Sequence, residues 1–185
     1  YTPIVENMPS GSAIRPGDVL KMRNGKTIEV MNTDAEGRLI MADALAYASE
    51  SSPDLICDVA TLTGAAYVAL GVEIGAVFSN NNLTLNNFLN SNLNGFENYH
   101  SLPLEQSYKS LIKSSIADMK NSGGRFGGAI TAALLLEEFV DGIDWIHLDI
   151  AGPGRSRSNT SIYPEGGTGF GVVGYFNFIK AEANN

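Results

Sequence analysis

From residue 54 to residue 62 the chain passes through Leu55, Ile56, Cys57, Val59, Ala60 and Leu62 with few polar breaks. A strand with one wet face alternates apolar and polar residues. A short, nearly continuous apolar run instead marks a central strand covered on both faces. Such a strand needs helices to cover it, and the neighbouring sequence supplies helical patterns. Residues 38–49 are rich in Ala, Leu and Met and apolar nearly all round apart from Asp43. They predict a largely buried helix in which Asp43 finds a buried hydrogen bond. Residues 64–70 read as a short helix, 74–78 as a second strand, 129–140 as a helix and 144–150 as a further strand. Residues 170–183 read as a closing helix. Leu83, Leu85, Phe88, Leu89 and Leu93 recur at surface-helix spacing inside an Asn-rich stretch. Upstream, two short apolar stretches flank Asn24-Gly25 and predict a hairpin closed by a two-residue primed turn. Strands alternating with helices place the chain in the layered α/β class.

Composition narrows the function classes. The 185 residues, 44% hydrophobic and 17% charged, suit one domain with a sizeable core. A formal net charge of −8 with scattered basic residues argues against a nucleic-acid partner, which would need clustered Lys and Arg. Cys57 is the single cysteine, so no disulfide can form within the chain and a reducing, cytoplasmic setting fits. No apolar stretch approaches the length of a membrane span, and no basic-then-apolar leader opens the chain. The first residues, Tyr1-Thr2-Pro3-Ile4-Val5, lack an initiator Met and suggest a start inside a longer protein.

Several chemistries lack an anchor. There is no Cys-x-x-Cys, no His-Glu-x-x-His and no Gly-x-Ser-x-Gly, and His100 and His147 lie far apart in sequence. Gly169-x-Gly171-x-x-Gly174 has dinucleotide-fingerprint spacing. It follows a loop rather than a strand and has no acid some twenty residues on, so no nucleotide binding is expected. Gly123-Gly124-Arg125-Phe126-Gly127-Gly128 lacks the Lys-Ser/Thr pair of a phosphate loop. His147 and Asp149 alternate with Ile146, Leu148 and Ile150, as in any sheet strand, and are expected to be structural. The acidic cluster after the hairpin remains. Asp34, Glu36 and Arg38, spaced by two, share a side only if the backbone is extended or turned. Two carboxylates beside a guanidinium offer hard oxygen ligands for a divalent cation and a fixed positive charge for an anion. Thr33-Asp34-Ala35-Glu36 equally fits a helix capping box. Residue types leave both readings open.

The octapeptide Asn32-Thr33-Asp34-Ala35-Glu36-Gly37-Arg38-Leu39 resembles the signature of the leucyl aminopeptidase family letter for letter. The likeness continues through Glu6-Asn7-Met8-Pro9-Ser10-Gly11, Arg15-Pro16-Gly17-Asp18, Asp58-Val59-Ala60-Thr61-Leu62-Thr63-Gly64-Ala65, Gly123-Gly124-Arg125, Gly128-Ala129-Ile130-Thr131-Ala132 and His147-Leu148-Asp149-Ile150-Ala151-Gly152. It therefore covers nearly all of residues 1–185. The resemblance implies the carboxy-terminal portion of a catalytic domain, a mixed sheet sandwiched between helices, acting on peptides in hexamers. It implies two divalent metals, Zn or Mn, with Asp34 ligating one through its side chain and backbone carbonyl, and Glu36 bridging both. Arg38 would hold a bicarbonate ion that shuttles protons. Thr61, Leu62 (through its carbonyl) and Gly64 would position substrate, and Ala151 and Gly154 would line the pocket for its first side chain. Gly154 stands where some relatives carry Met, which implies a roomier pocket. A Lys and two Asp metal ligands and a catalytic Lys of the family fall upstream of this sequence, so the 185 residues alone are expected to be inactive. The competing expectation is an assembly segment that keeps the fold without the chemistry.

Overall fold

The structure, a computed structural model, describes residues 1–183. Its elements in chain order are strands β1 (Val19–Lys21) and β2 (Thr27–Glu29), a 3-10 turn (Thr33–Ala35) running into helix α1 (Glu36–Ser49), β3 (Leu55–Ala60), α2 (Gly64–Leu70), β4 (Ile74–Ser79), α3 (Asn82–Ser91) and β5 (Asn98–Ser101). A 3-10 helix (Gln106–Ile112), β6 (Met119–Lys120), α4 (Gly128–Glu137), β7 (Asp144–Asp149), β8 (Arg155–Ser156), β9 (Gly166–Gly167) and α5 (Val172–Glu182) follow. They form an α/β structure of mixed sheets flanked by helices. No helix among the described residues is long and apolar enough to cross a membrane. Two compact units make up the chain, the first from Tyr1–Ile56 with Leu104–Ile143 and the second from Cys57–Pro103 with the residues from Asp144 onward.

In the first unit β2 lies between β1, which pairs with it antiparallel, and β6, which runs parallel. The hairpin forms, but its turn differs from the expected one. Gly25 is left-handed at φ 88° while Asn24 is not, and the Gly25 N–H donates to Met22 at 2.9 Å. The result is a three-residue connection with glycine at the left-handed position. The side chain of Asn24 explains the change: its Oδ1 accepts from the Lys26 N–H at 3.1 Å, a local bond that holds the turn without positive φ at Asn24. Helix α1 packs on α4. Leu39, Leu45, Leu135, Leu136 and Phe139 are buried in this unit, each worth about 2 kcal/mol of apolar transfer. Asp43 departs from expectation. It is exposed, and it accepts from the backbone N–H of Arg23 at 2.8 Å, because the hairpin loop rather than the core meets that face of α1.

In the second unit the sheet order is β3-β7-β4-β5, with β4 parallel to β5 and antiparallel to β7. The expectation that residues 54–62 form a central strand is corrected. Among the described residues β3 is an edge strand, with Val59 45% exposed, while the interior strands are β4 and β7. Apolar content reports how much of a strand is covered and not how many strands flank it, so hydrophobicity alone misplaced β3 in the sheet. Helices α2 and α3 pack against β4, and α3 against α5. The closing helix begins at the Gly169-x-Gly171-x-x-Gly174 spacing, and those glycines have a local use. Glu97, 3% exposed, accepts from the N–H groups of Gly171 at 2.9 Å and Gly174 at 2.7 Å, so a protein carboxylate satisfies the first turn of α5. Gly174 has to be glycine, since a Cβ there would sit 2.0 Å from the Tyr99 hydroxyl, which itself donates to Glu97.

Candidate functional site

The acidic segment of the first unit is turned only at Thr33–Ala35, and Glu36 and Arg38 already lie in α1, so the extended or turned spacing expected of all three is met by Asp34 alone. Asn32 caps the 3-10 turn, its Oδ1 accepting from the Asp34 N–H at 3.0 Å, and α1 then starts at Glu36 with no side-chain cap of its own. The capping-box alternative is thereby removed, because Asn32 rather than Thr33 performs the capping. Two neutral amides from distant sequence hold the turn. Asn121, fully buried, accepts from the N–H groups of Met31 and Asn32 at 2.8 and 3.2 Å, and donates to the carbonyls of Asn32 and Ala35 at 2.7 and 3.4 Å. Asn7 donates to the Thr33 carbonyl at 3.0 Å and to the Glu36 carboxylate at 2.9 Å. Sequence reasoning missed both anchors. For Asn121 residue type offered no signal, since it opens a Gly-rich loop and its partners are brought near only by folding.

Asp34 is exposed on this turn, while Glu36 and Arg38 are half-buried in the first turn of α1. Carboxylate oxygens of this kind suit hard divalent cations, so the donor chemistry of Asp34 and Glu36 fits a metal. Their number does not complete a site. Among the described residues, no group of three or more His, Cys, Asp or Glu side chains could hold a metal ion.

The positions expected to face substrate all fall in the second unit, and most share one support. Asp149, at the end of β7 and 1% exposed, takes at Oδ1 the N–H groups of Leu62 (3.1 Å), Thr63 (3.3 Å) and Ala151 (3.1 Å), and at Oδ2 the Thr63 hydroxyl (2.6 Å). Thr63 then caps α2, accepting from the Ala66 N–H at 3.0 Å, and Gly64 opens that helix with open space where a side chain would project. Thr61 and Gly154 meet directly. A Cβ on Gly154 would lie 2.9 Å from the Thr61 methyl and 2.8 Å from the Ile150 carbonyl. Glycine at 154 thus lets the chain pass close to Thr61 and Ile150, which occupy the space that a side chain would take.

Behind Asp149 lies a second buried network. His147, 1% exposed, shares a hydrogen bond of 2.5 Å between its Nδ1 and Asp58 Oδ1, and the other oxygen of Asp58 accepts from the Trp145 indole at 2.6 Å. Tyr175 donates to the Asp58 carbonyl. Burial disfavours the charged imidazole, but the charge and hydrogen bond of Asp58, helped by the charge of Asp149, outweigh it and raise the His147 pKa above its ordinary value. Burial, with Asp58 adding its charge, pushes the Cys57 thiol up to about 12, so it stays protonated and is no nucleophile at neutral pH.

Comparison with known proteins places this arrangement. Residues 1–174 match the model of the cytosol aminopeptidase family, catalytic domain. A probable cytosol aminopeptidase of Prochlorococcus marinus subsp. pastoris is 53% identical over 176 residues, which is 95% of this chain and 36% of that protein. One from Aquifex aeolicus is 50% identical over 182 residues, 97% of this chain and 37% of its own length. The chain thus spans little more than a third of the curated relatives it matches. Among solved structures, the bottromycin maturation enzyme BotP in complex with Mn superposes with a TM-score of 0.92 at 40% identity, covering 97% of this chain and 41% of that one. A mutant of tomato leucine aminopeptidase gives 0.88 at 44% identity, covering 94% and 34%. With its signature turn, its mixed sheets and matches that run through nearly all of its length, the chain belongs to the cytosol aminopeptidase family.

Proposed function

We propose that these residues serve a metal-dependent aminopeptidase that releases amino-terminal residues, leucine-like ones favoured, from peptides. The observation that carries the reading is the octapeptide Asn32–Leu39, folded as a turn that presents Asp34 to solvent and holds Glu36 through Asn7, in a chain of this family. Asp34 and Glu36 are the donors this chain offers to a two-metal centre of Zn or Mn, alongside ligands from outside these 185 residues. The manganese named for the BotP relative supports Mn as a metal for this centre. When bound, such ions polarise a carbonyl and lower the pKa of water. The chain's own residues bind and orient. The fixed positive charge of Arg38 suits bicarbonate, a small anion able to move a proton. The Leu62 carbonyl can accept a hydrogen bond from a substrate N–H, Thr61 and Gly64 position the substrate backbone, and Ala151 and Gly154 flank its first side chain. This reading also places the working protein in the cytoplasm as a homo-hexamer.

The assay is release of leucine from a chromogenic amide. The protein that carries this chain should turn over when loaded with Mn(II) or Zn(II), and a metal-loaded preparation with no turnover would sink the reading. The 185 residues alone should show no metal-dependent release, since two carboxylates give too few ligands. The alternative, a non-catalytic assembly segment, draws on that same short donor set. It predicts a carrier protein that assembles but never hydrolyses.

A further inference from the structure

Asp149 spends its hydrogen-bonding capacity on the chain segments assigned to substrate. A peptide unit is planar and trans, so fixing its N–H aims its carbonyl the opposite way. The Thr63 N–H belongs to the same peptide unit as the Leu62 carbonyl, and the Leu62 N–H to the same unit as the Thr61 carbonyl. Both N–H groups point at Asp149 Oδ1, at 3.3 and 3.1 Å. The two carbonyls are thereby turned away from Asp149. The same oxygen takes the Ala151 N–H at 3.1 Å, tying a second segment to the first. The other oxygen fixes Thr63 against rotation through a 2.6 Å bond. Bonds to an ionised acceptor are about twice as strong as neutral ones, and here they converge on a side chain that is 1% exposed. Nothing in the sequence distinguished this acid from a filler of strand alternation.

We propose that Asp149 is a positioning residue for the aminopeptidase reaction: one buried carboxylate presets the Thr61 and Leu62 carbonyls as acceptors for substrate N–H groups and registers Ala151 against them. The proposal rests on the aminopeptidase reading above. A purely structural acid would affect how much protein folds, whereas a positioning acid changes how each folded molecule binds.

The test is steady-state kinetics of the metal-loaded carrier protein on leucine and alanine amides, with KM and kcat normalised to metal content and folded fraction. Asp149→Asn keeps an acceptor oxygen for the three N–H groups but loses the charge and the acceptor for the Thr63 hydroxyl, and KM should rise less than in the other variants. Asp149→Glu keeps the charge but displaces it by one methylene, and KM should rise on both substrates. Asp149→Ala should lower kcat/KM about 100-fold at unchanged metal content, the scale of a misplaced binding group. If the Ala variant fails to fold, the contrast between Asn and Glu decides. Equal KM values in wild type, Asn and Glu would overturn the proposal while leaving the aminopeptidase reading standing. A wild-type protein with no turnover would overturn that reading, and this one with it.

Discussion

The acidic turn at residues 32–39 and the shell around Asp149 contrast in how they are held. The turn carries the distinctive sequence, yet its support comes from the neutral amides of Asn7 and Asn121, 25 or more positions away in the chain. The shell draws on the family-like stretches 58–65 and 147–152, and there the buried carboxylate of Asp149 organises four donors, with His147 paired to Asp58 behind it. A specific motif is therefore no measure of local self-sufficiency. The turn is thus held by groups that carry no charge, while the shell rests on the carboxylate of Asp149 with the Asp58–His147 pair behind it.

The largest expected effect tests the neutral anchor. Asn121→Ala removes a fully buried side chain that accepts two hydrogen bonds and donates two. Leaving those backbone groups unsatisfied should cost about 3 kcal/mol, read as a lower urea midpoint at constant slope. A loss below about 0.5 kcal/mol would mean that the turn holds itself, and the contrast would collapse.

Next comes the pH dependence of the shell. The unfolded imidazole titrates near its usual value of about 6.5. The folded pKa of His147 is raised, so the stabilisation by Asp58 and Asp149 is complete below the unfolded value and is lost as pH rises through the folded one. Urea titrations across pH 5–9 should show this decline. His147→Gln should remove it, whereas Asn121→Ala should lower the whole curve and keep its shape. A wild-type curve flat through this range would break the claim that a charged Asp58–His147 pair backs the shell.

Asn7→Ala should do less. Its amide lies at the surface and makes two bonds, so about 1 kcal/mol is expected from loss of the bonds to the Thr33 carbonyl and Glu36. The variant sharpens the comparison because it releases Glu36 while leaving the Asn121 anchor intact. Its fall in activity should therefore exceed what its stability explains, and a stability loss as large as that of Asn121→Ala would merge the two anchors into one.

Much of this was legible in residue patterns, and the exceptions have physical causes. The bounds of α2 were read as they stand, because Thr63 and Gly71 punctuate the apolar stretch between them. β3 was read as a strand but placed at the centre, since apolar content reports burial and not the number of neighbours. β5, β6 and the 3-10 helix at Gln106–Ile112 went unread because pieces so short or irregular carry too few residues to establish a period. In the site, Asp34, Glu36 and Arg38 stood out by type and spacing. Asn7, Asn121 and the full role of Asp149 did not, because each acts through backbone groups of residues brought near only by folding.

The smallest stability effect is expected at the residue with the strongest chemical claim. Asp34 has its side chain in solvent, and its backbone N–H, not its carboxylate, bonds to the Asn32 cap. Asp34→Asn keeps size and shape, so the urea midpoint should move by no more than about 0.5 kcal/mol, as for surface changes away from special features. Turnover by the carrier protein should nonetheless collapse, because a neutral amide is a much poorer ligand for a hard divalent cation than a carboxylate. A variant that unfolds more easily would show that Asp34 braces the turn. One that stays both stable and active would remove it from the chemistry, leaving Glu36 to carry the contribution of the whole signature.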